Sequence, residues 1–328
     1  MIPASNARQQ SSSPAPGGVQ SFAPIALFVY NRPEHTRRTV DALRANRLAS
    51  SSELHVFSDG PRAPQAAATV RRVRAYLRTL DGFASVEIHE RESNFGLAES
   101  IIDGVTRLCH SRGKAIVIED DLLVAPGFLS YMNAALDRYR DEAAVMQVSG
   151  YMFPVDMGTT SDSLFLPFTT SWGWATWSRA WSAFDPLMRG LETLARDREL
   201  KAAFNLNGAY DYYRMLLRQQ RGELDSWAIR WYLSVFMRQG LTLYPARTLV
   251  QNIGFDGSGT HCGTGDFGQD TGLPQFEVAS FPQRVEVYPQ WRRVLAGLPR
   301  RSRTLRDLAG AFLGTVNRVI GTRSGKGS

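Results

Sequence analysis

The sequence predicts an α/β protein: a mostly parallel sheet with helices on both faces, followed by a helical and loop-rich second half. Three observations predict it. Short apolar runs of strand length alternate with segments whose apolar residues recur every three or four positions, over about 130 residues and with short connections. One run, residues 115–118 (AIVI), is apolar throughout, as a strand covered on both faces should be. The 328 residues, 43% hydrophobic and 21% charged, can bury a sizeable core in one large domain or two joined ones. The same composition excludes a disordered chain and a fibrous repeat. No stretch approaches the ~18 uninterrupted apolar residues of a spanning helix, which excludes a multi-pass membrane protein.

Residues 1–21, rich in Ser, Pro and Gly, read as a disordered arm. Residues 25–30 form the first strand, and Pro33 opens a helix to about Asn46, because proline suits the first helical turn. A second strand at 54–58 ends in the turn pair Asp59-Gly60. The helix after it, near 65–80, carries Val70, Val73, Leu77 and Leu80 on one stripe. A strand at 86–89 leads to a helix marked by Leu97, Ile101, Val105 and Leu108. The fourth strand is 115–118; Pro126 opens another helix, and 144–148 is a fifth strand. The second half holds a Trp-rich segment (171–181), helices near 191–204, 210–220 and 226–239, and a Gly-rich loop at 254–268. This division puts a ligand-binding half at 22–155, a second half at 156–285 and a basic tail at 286–328.

The net charge of +7 belongs to that tail. Between Trp291 and Ser328, nine Arg and Lys residues face only Asp307, a net of +8 that leaves the rest of the chain at −1. A neutral body argues against a nucleic-acid partner. Leu305, Leu308, Phe312, Val316 and Ile320 would line one helical stripe, making the tail a basic amphipathic helix suited to an anionic membrane surface. The plainer alternative is a helix docked on the protein. Two cysteines, Cys109 and Cys262, provide neither a disulfide framework nor a multi-cysteine zinc site. With no charged-then-apolar leader, a reducing cytosol is expected.

In doubly wound sheets, ligands bind beyond the carboxyl ends of the strands. The residues at those ends are Asn31-Arg32, Asp59-Gly60, Asn94 and Glu119-Asp120-Asp121. Three consecutive carboxylates beside a core repel one another by a few kcal/mol per pair at an effective dielectric near ~20. A hard divalent cation, Mg²⁺ or Mn²⁺, suits such oxygens. Along an extended chain Glu119 and Asp121 would share one side and Asp120 the other. The competing reading is a solvated acidic turn.

The run PIALFVYNR, LHVFSDG, NFGLAESI and AIVIEDDLLVAPGFLSYMNAAL resembles the N-acetylglucosaminyltransferase I family of metal-dependent, inverting glycosyltransferases with the GT-A (Rossmann-like) fold. It also resembles related bacterial sugar transferases of surface-polysaccharide assembly. The likeness covers roughly residues 22–150 well and 165–265 loosely. It implies that Asp121 ligates the metal, that Asp120 meets the ribose, and that Glu119 contacts the transferred sugar. It further places Asp59 at the uracil or ribose edge and Arg32 beside the diphosphate of a nucleotide-sugar donor. Asn94 joins the donor side by its place after the third strand. Relatives usually carry a short acidic-basic turn where this chain has Tyr30-Asn31-Arg32-Pro33. Asp59 can equally be a turn residue and Arg32 a surface charge.

An inverting transfer needs a base for the acceptor hydroxyl. Asp225, ahead of a Trp-containing helix, resembles the family's base; it could instead cap that helix, with Asp211 and Glu223 as fallbacks. Trp174, in a Gly173-Trp174 step like the family's, would line the donor pocket, though clustered tryptophans more commonly pack a core. The Gly-rich loop would close over donor and exclude water, and His261 within it would reach the metal or diphosphate; otherwise it is an exposed loop histidine.

The expected function is therefore transfer of a sugar from a nucleoside diphosphate, UDP foremost, to a saccharide or lipid-linked saccharide, at the inner face of the cytoplasmic membrane. A sugar-nucleotide nucleotidyltransferase would want a glycine-rich, basic loop after the first strand, which is absent. A non-enzymatic membrane-binding protein would have no use for the acidic strand end.

Overall fold

The computed structural model describes residues 21–255, 273 and 276–296. The first 130 described residues alternate as expected: β1 (Ile25–Val29), α1 (Pro33–Arg44), β2 (Glu53–Ser58), α2 (Ala67–Leu77), β3 (Ser85–Glu90), α3 (Leu97–Arg112), β4 (Lys114–Glu119), β5 (Leu122–Val124), α4 (Phe128–Arg138) and β6 (Val145–Ser149). The second half adds β7 (Ser163–Leu166), β8 (Trp174–Trp177), α5 (Ser178–Trp181), α6 (Gly190–Arg196), α7 (Arg198–Phe204), α8 (Tyr212–Gln220), α9 (Trp227–Met237), β9 (Leu241–Pro245), β10 (Val250–Asn252) and α10 (Arg293–Ala296).

Eight strands form one sheet in the order β3-β2-β1-β4-β8-β6-β9-β7, and β5 pairs with β10 in a separate antiparallel ribbon. The fold is thus the expected mixed α/β, Rossmann-like architecture: six strands of the sheet run one way, with only β8 and β7 reversed. Strands β1 and β4 are buried along their apolar length, which is why both read as continuous hydrophobic runs. The two expected halves share this sheet, because β7, β8 and β9 pair directly into it.

Local chemistry explains the element ends. Pro33 starts α1. Gly113 ends α3 in the left-handed conformation (φ +77°), its N–H donating to the Cys109 carbonyl. Val70, Val73 and Leu77 form the buried face of α2. Gly104 lets α3 lie close to the sheet, since a β-carbon there would stand 2.7 Å from Phe28 Cζ.

Several expectations are corrected. The single helix expected near 191–204 is broken at Asp197, whose extended backbone and side chain, accepting from Leu200 N at 2.9 Å, cap a new helix. The Trp-rich segment, given no element from sequence, holds the strand β8, wedged antiparallel between β4 and β6, and then the short helix α5. The start of the expected tail is docked. Tyr288 N–H donates to the Phe165 carbonyl, the Tyr288 hydroxyl donates to the Met157 carbonyl, and Val294 is buried. Residues 1–20 and 297–328, which hold the expected arm and amphipathic stripe, lie outside the described residues, as do His261 and Cys262. Among the described residues no helix is long and apolar enough to cross a membrane.

Candidate functional site

The strand order reverses between β1 and β4. From β1 the chain moves outward to β2 and β3, then returns to place β4 on the other side. Crevices at such a switch point, beyond the carboxyl ends of the strands, are where doubly wound sheets bind ligands. Arg32 leaves β1 and Asp120-Asp121 leave β4 on the two walls of this crevice.

Arg32 Nη2 lies 2.9 Å from Asp121 Oδ2 and 3.1 Å from Asp120 Oδ1. One guanidinium nitrogen thus bridges two buried acids, both with side chains under a tenth exposed. The expected alternation of sides does not hold for this pair. Strand β4 stops at Glu119, and the chain turns through Asp120 and Asp121, so both carboxylates reach the same cation. The turn is pinned from three directions. Asp120 Oδ2 accepts from Tyr30 N (3.3 Å), the Thr39 hydroxyl of α1 donates to the Asp120 carbonyl (2.9 Å), and Ile253 N donates to the Asp121 carbonyl (2.8 Å).

Gly254 closes the site from the far side. A β-carbon there would overlap Asp121 Oδ2 and stand 3.1 Å from Arg32 Nη1. Only a residue without a side chain fits against the acid. The ribbon of β5 and β10 brings it there, with Asn252 opposite Leu122.

Burial, then the neighbouring Asp121 and Asp120 charges, raises the Glu119 carboxyl well above the ordinary carboxylate range. Burial also raises Asp120, against the opposing pull of Arg32. Burial leads both shifts, and the neighbouring carboxylates add to it. With all three carboxylates ionised, one guanidinium would leave two negative charges uncompensated, which one divalent cation would balance. The donors are all hard oxygens, which suits Mg²⁺ or Mn²⁺. Among the described residues, the three acids do not bring one oxygen each around a single point. The residues fit a cation held by one or two carboxylates and completed by a ligand's oxygens.

Asp59 does something the sequence did not disclose. Its Oδ1 accepts from Gly60 N (3.0 Å) and Phe95 N (2.8 Å), and its Oδ2 from Gly96 N (2.9 Å). Asn94 Nδ2 donates to the Gly60 carbonyl (2.9 Å). The expected donor contacts Asp59 and Asn94 therefore lace the loops after β2 and β3 together and shape the crevice wall. Arg74, which sequence reasoning missed, completes the lacing by donating to the Ser58, Asp59 and Arg91 carbonyls. As one of three arginines on α2 (Arg71, Arg72, Arg74) it carried no signal of that role.

Asp225 reaches the same wall. A β-carbon on Gly96 would lie 3.9 Å from Asp225 Oδ2. Ser226, not Asp225, is the N-cap of α9, its hydroxyl accepting from Ile229 N. Asp225 is instead oriented by Arg230 Nη2 (3.4 Å), a buried guanidinium also 3.7 Å from Glu99, while 41% of the Asp225 side chain stays exposed. The fallback bases are engaged elsewhere. Asp211 caps α8, and Glu223 sits in an exposed ion pair with Arg221, which lowers its pKa.

Trp174 is a correction to the expected pocket. It is fully buried in β8, and its indole stacks on Trp227 at 4.9 Å and 18°. With Trp181 and Trp231 it forms an aromatic core under α9 rather than a surface for a sugar.

No protein-family model matches the chain, and no curated protein does. Among solved structures, it is similar to the mannosyltransferase PcManGT from Pyrobaculum calidifontis in complex with GDP-Man and Mn²⁺. That match has 18% identity and a TM-score of 0.29, over 39% of this chain and 34% of that one. It is also similar to TarS of S. aureus at 12% identity and a TM-score of 0.29, over 39% of this chain and 21% of that one. The chain spans about a third of the first and a fifth of the second.

Proposed function

We propose that this chain is a glycosyltransferase that moves a sugar from a nucleoside diphosphate donor, UDP foremost, to a saccharide or lipid-linked saccharide. The observation that supports it best is the Arg32 bridge between Asp120 and Asp121 at the sheet's switch point, with Gly254 packed against Asp121. An acid pair held by a single guanidinium is poised to exchange partners. When a diphosphate enters, the Arg32 fork matches phosphate oxygens, and the released carboxylates are left for a cation. A divalent cation there would neutralise charge on the departing diphosphate.

The chain's own residues supply the rest. Asp120, tied to Tyr30 N, presents its remaining oxygen to the ribose, and Glu119 faces the transferred sugar. The lacing by Asp59 and Asn94 keeps the wall rigid, and Asp225 takes the proton of the attacking acceptor hydroxyl. Direct displacement by that hydroxyl inverts the anomeric carbon. The basic segment 297–328 would hold the enzyme at an anionic membrane, where a lipid-linked acceptor is found.

Calorimetry with UDP and with GDP, each with and without Mn²⁺, followed by a panel of nucleotide-sugars assayed for donor hydrolysis, tests the reading. Metal-dependent nucleotide binding and turnover of one donor are expected, both lost in Asp121→Ala with the fold intact. Metal-independent turnover, or wild-type activity in that variant, would refute the metal assignment.

A further inference from the structure

A second constellation lies at the sheet edge, built from residues outside the proposed catalytic machinery. His55 of β2 stands directly opposite Glu87 of β3, and His89 follows on the same face of β3. Three contacts join them. His55 Nδ1 is 3.4 Å from His89 Nε2 and 3.4 Å from Glu87 Oε2, and His89 Nε2 is 3.5 Å from Glu87 Oε1. Among the described residues, this is the group of three such side chains whose ligand atoms converge.

We propose that His55, Glu87 and His89 form a binding site for a borderline transition-metal cation such as Zn²⁺, distinct from the hard-oxygen acid tip. The first argument is metric. A tetrahedral cation with bonds of about 2.0–2.1 Å separates its ligand atoms by about 3.3–3.4 Å. The His55–His89 separation of 3.4 Å falls at that edge length, whereas an N–H···N hydrogen bond would normally close to about 3.0 Å, and Glu87 meets the two rings through different oxygens, Oε2 at 3.4 Å and Oε1 at 3.5 Å, either of which can serve as the third ligand. The two imidazole planes lie within 10° of one another with centroids 5.7 Å apart. Closing on a cation needs each ring to pivot toward Glu87, about a torsion that is broad and soft.

The second argument is tautomeric. His55 Nε2 is 3.3 Å from Glu53 Oε2, and that carboxylate is held by Arg112 Nε at 2.9 Å. A carboxylate on the far ring nitrogen keeps the proton there and leaves the Nδ1 lone pair facing Glu87 and His89, the arrangement that orients metal-binding histidines. The nearby cations do not oppose this. Arg91 and Arg107 share Asp103, and Arg112 is paired with Glu53. Nitrogen donors also separate the two sites by metal type, since imidazole suits Zn²⁺ and Co²⁺ where carboxylates alone suit Mg²⁺ and Mn²⁺. His55 is buried, His89 partly buried and Glu87 exposed, which leaves the fourth position open to solvent.

The test is titration of the chelator-stripped full chain, without an affinity tag, with Co²⁺ and then Zn²⁺. The wild type should show the intense visible bands of tetrahedral Co²⁺ at one equivalent, displaced by Zn²⁺. His89→Gln and Glu87→Gln, whose side chains reach solvent and whose folding circular dichroism checks, should each weaken binding at least ~10-fold; Glu53→Gln should weaken it ~10–100-fold through the His55 tautomer. Asp121→Ala should leave the bands in place, which separates this site from the acid tip. Absence of tetrahedral bands in the wild type, or unchanged affinity in both His89→Gln and Glu87→Gln, would overturn the proposal.

Discussion

Arg32 Nη2 rests 2.9 Å from Asp121 Oδ2, across 89 residues of sequence, and the same nitrogen holds Asp120 at 3.1 Å. The guanidinium is a counter-charge shared by both acids, and its side chain is one-fifth exposed where theirs are nearly closed to solvent. Removing one partner of a buried pair strands the other's charge, which is costlier than the pair's net worth.

Arg32→Ala is therefore expected to destabilise the fold by about 3 kcal/mol, the low end of the range because Arg32 is partly exposed. Urea unfolding measures it. Mn²⁺ should restore more stability to this variant than to the wild type, because the cation then balances the stranded acids. An equal effect of Mn²⁺ on both would count against a cation at Asp121.

Gly254→Ala puts a methyl group where Asp121 Oδ2 now sits. The carboxylate must swing aside, and a misplacement of about 1 Å at a reacting centre costs on the order of 10²-fold in rate. Donor turnover should fall by that factor with the melting temperature little changed. Unaltered turnover would show that Asp121 does not need its present position.

For Asp225→Asn, the shape and the approach to Gly96 are kept while the proton acceptor is removed. A loss of about 10²–10⁴-fold in kcat is expected, with nucleotide affinity unchanged by calorimetry. Weakened nucleotide binding instead would recast Asp225 as part of the donor wall.

Asp59→Ala leaves the amides of Gly60, Phe95 and Gly96 without their acceptor. At roughly 1–3 kcal/mol for each buried donor left unsatisfied, discounted because Phe95 and Gly96 are partly exposed, the cost should be about 3 kcal/mol in urea unfolding. Hydrogen exchange at residues 93–96 should quicken in step. A variant as stable as wild type would mean that solvent replaces the carboxylate freely.

Burial pushes the Cys109 thiol up to about 12. In a Cys262→Ser background the native protein should resist thiol alkylation at pH 8, and react only as it unfolds in denaturant. Rapid native labelling would place α3 in an opening equilibrium that its buried face does not suggest.

The signals legible in the chain were local ones. Pro33 announced α1, the stripe of Val70, Val73 and Leu77 announced α2, and the apolar run before Glu119 announced a covered strand with acids at its tip. Each depends on residues within one or two turns or a single strand, where periodicity and backbone restriction act directly. Asp197 shows the limit: its capping side chain interrupts a helical pattern that looks continuous when only apolar spacing is counted.

From its residue order alone, this protein was committed to a wound α/β sheet with a cluster of acids beyond the fourth main strand. The tertiary structure decided which charge answers those acids, that Asp120 and Asp121 face the same way, and that Gly254 lies against them while Asp59 serves the loops. It also brought His55 beside His89, 34 residues further along the chain. Those outcomes follow from strand order and from pairings such as Asn252 with Leu122, which join segments far apart in the chain. Contacts of that kind are selected by the packing of the whole sheet, and no local window of sequence carries the energy that selects them.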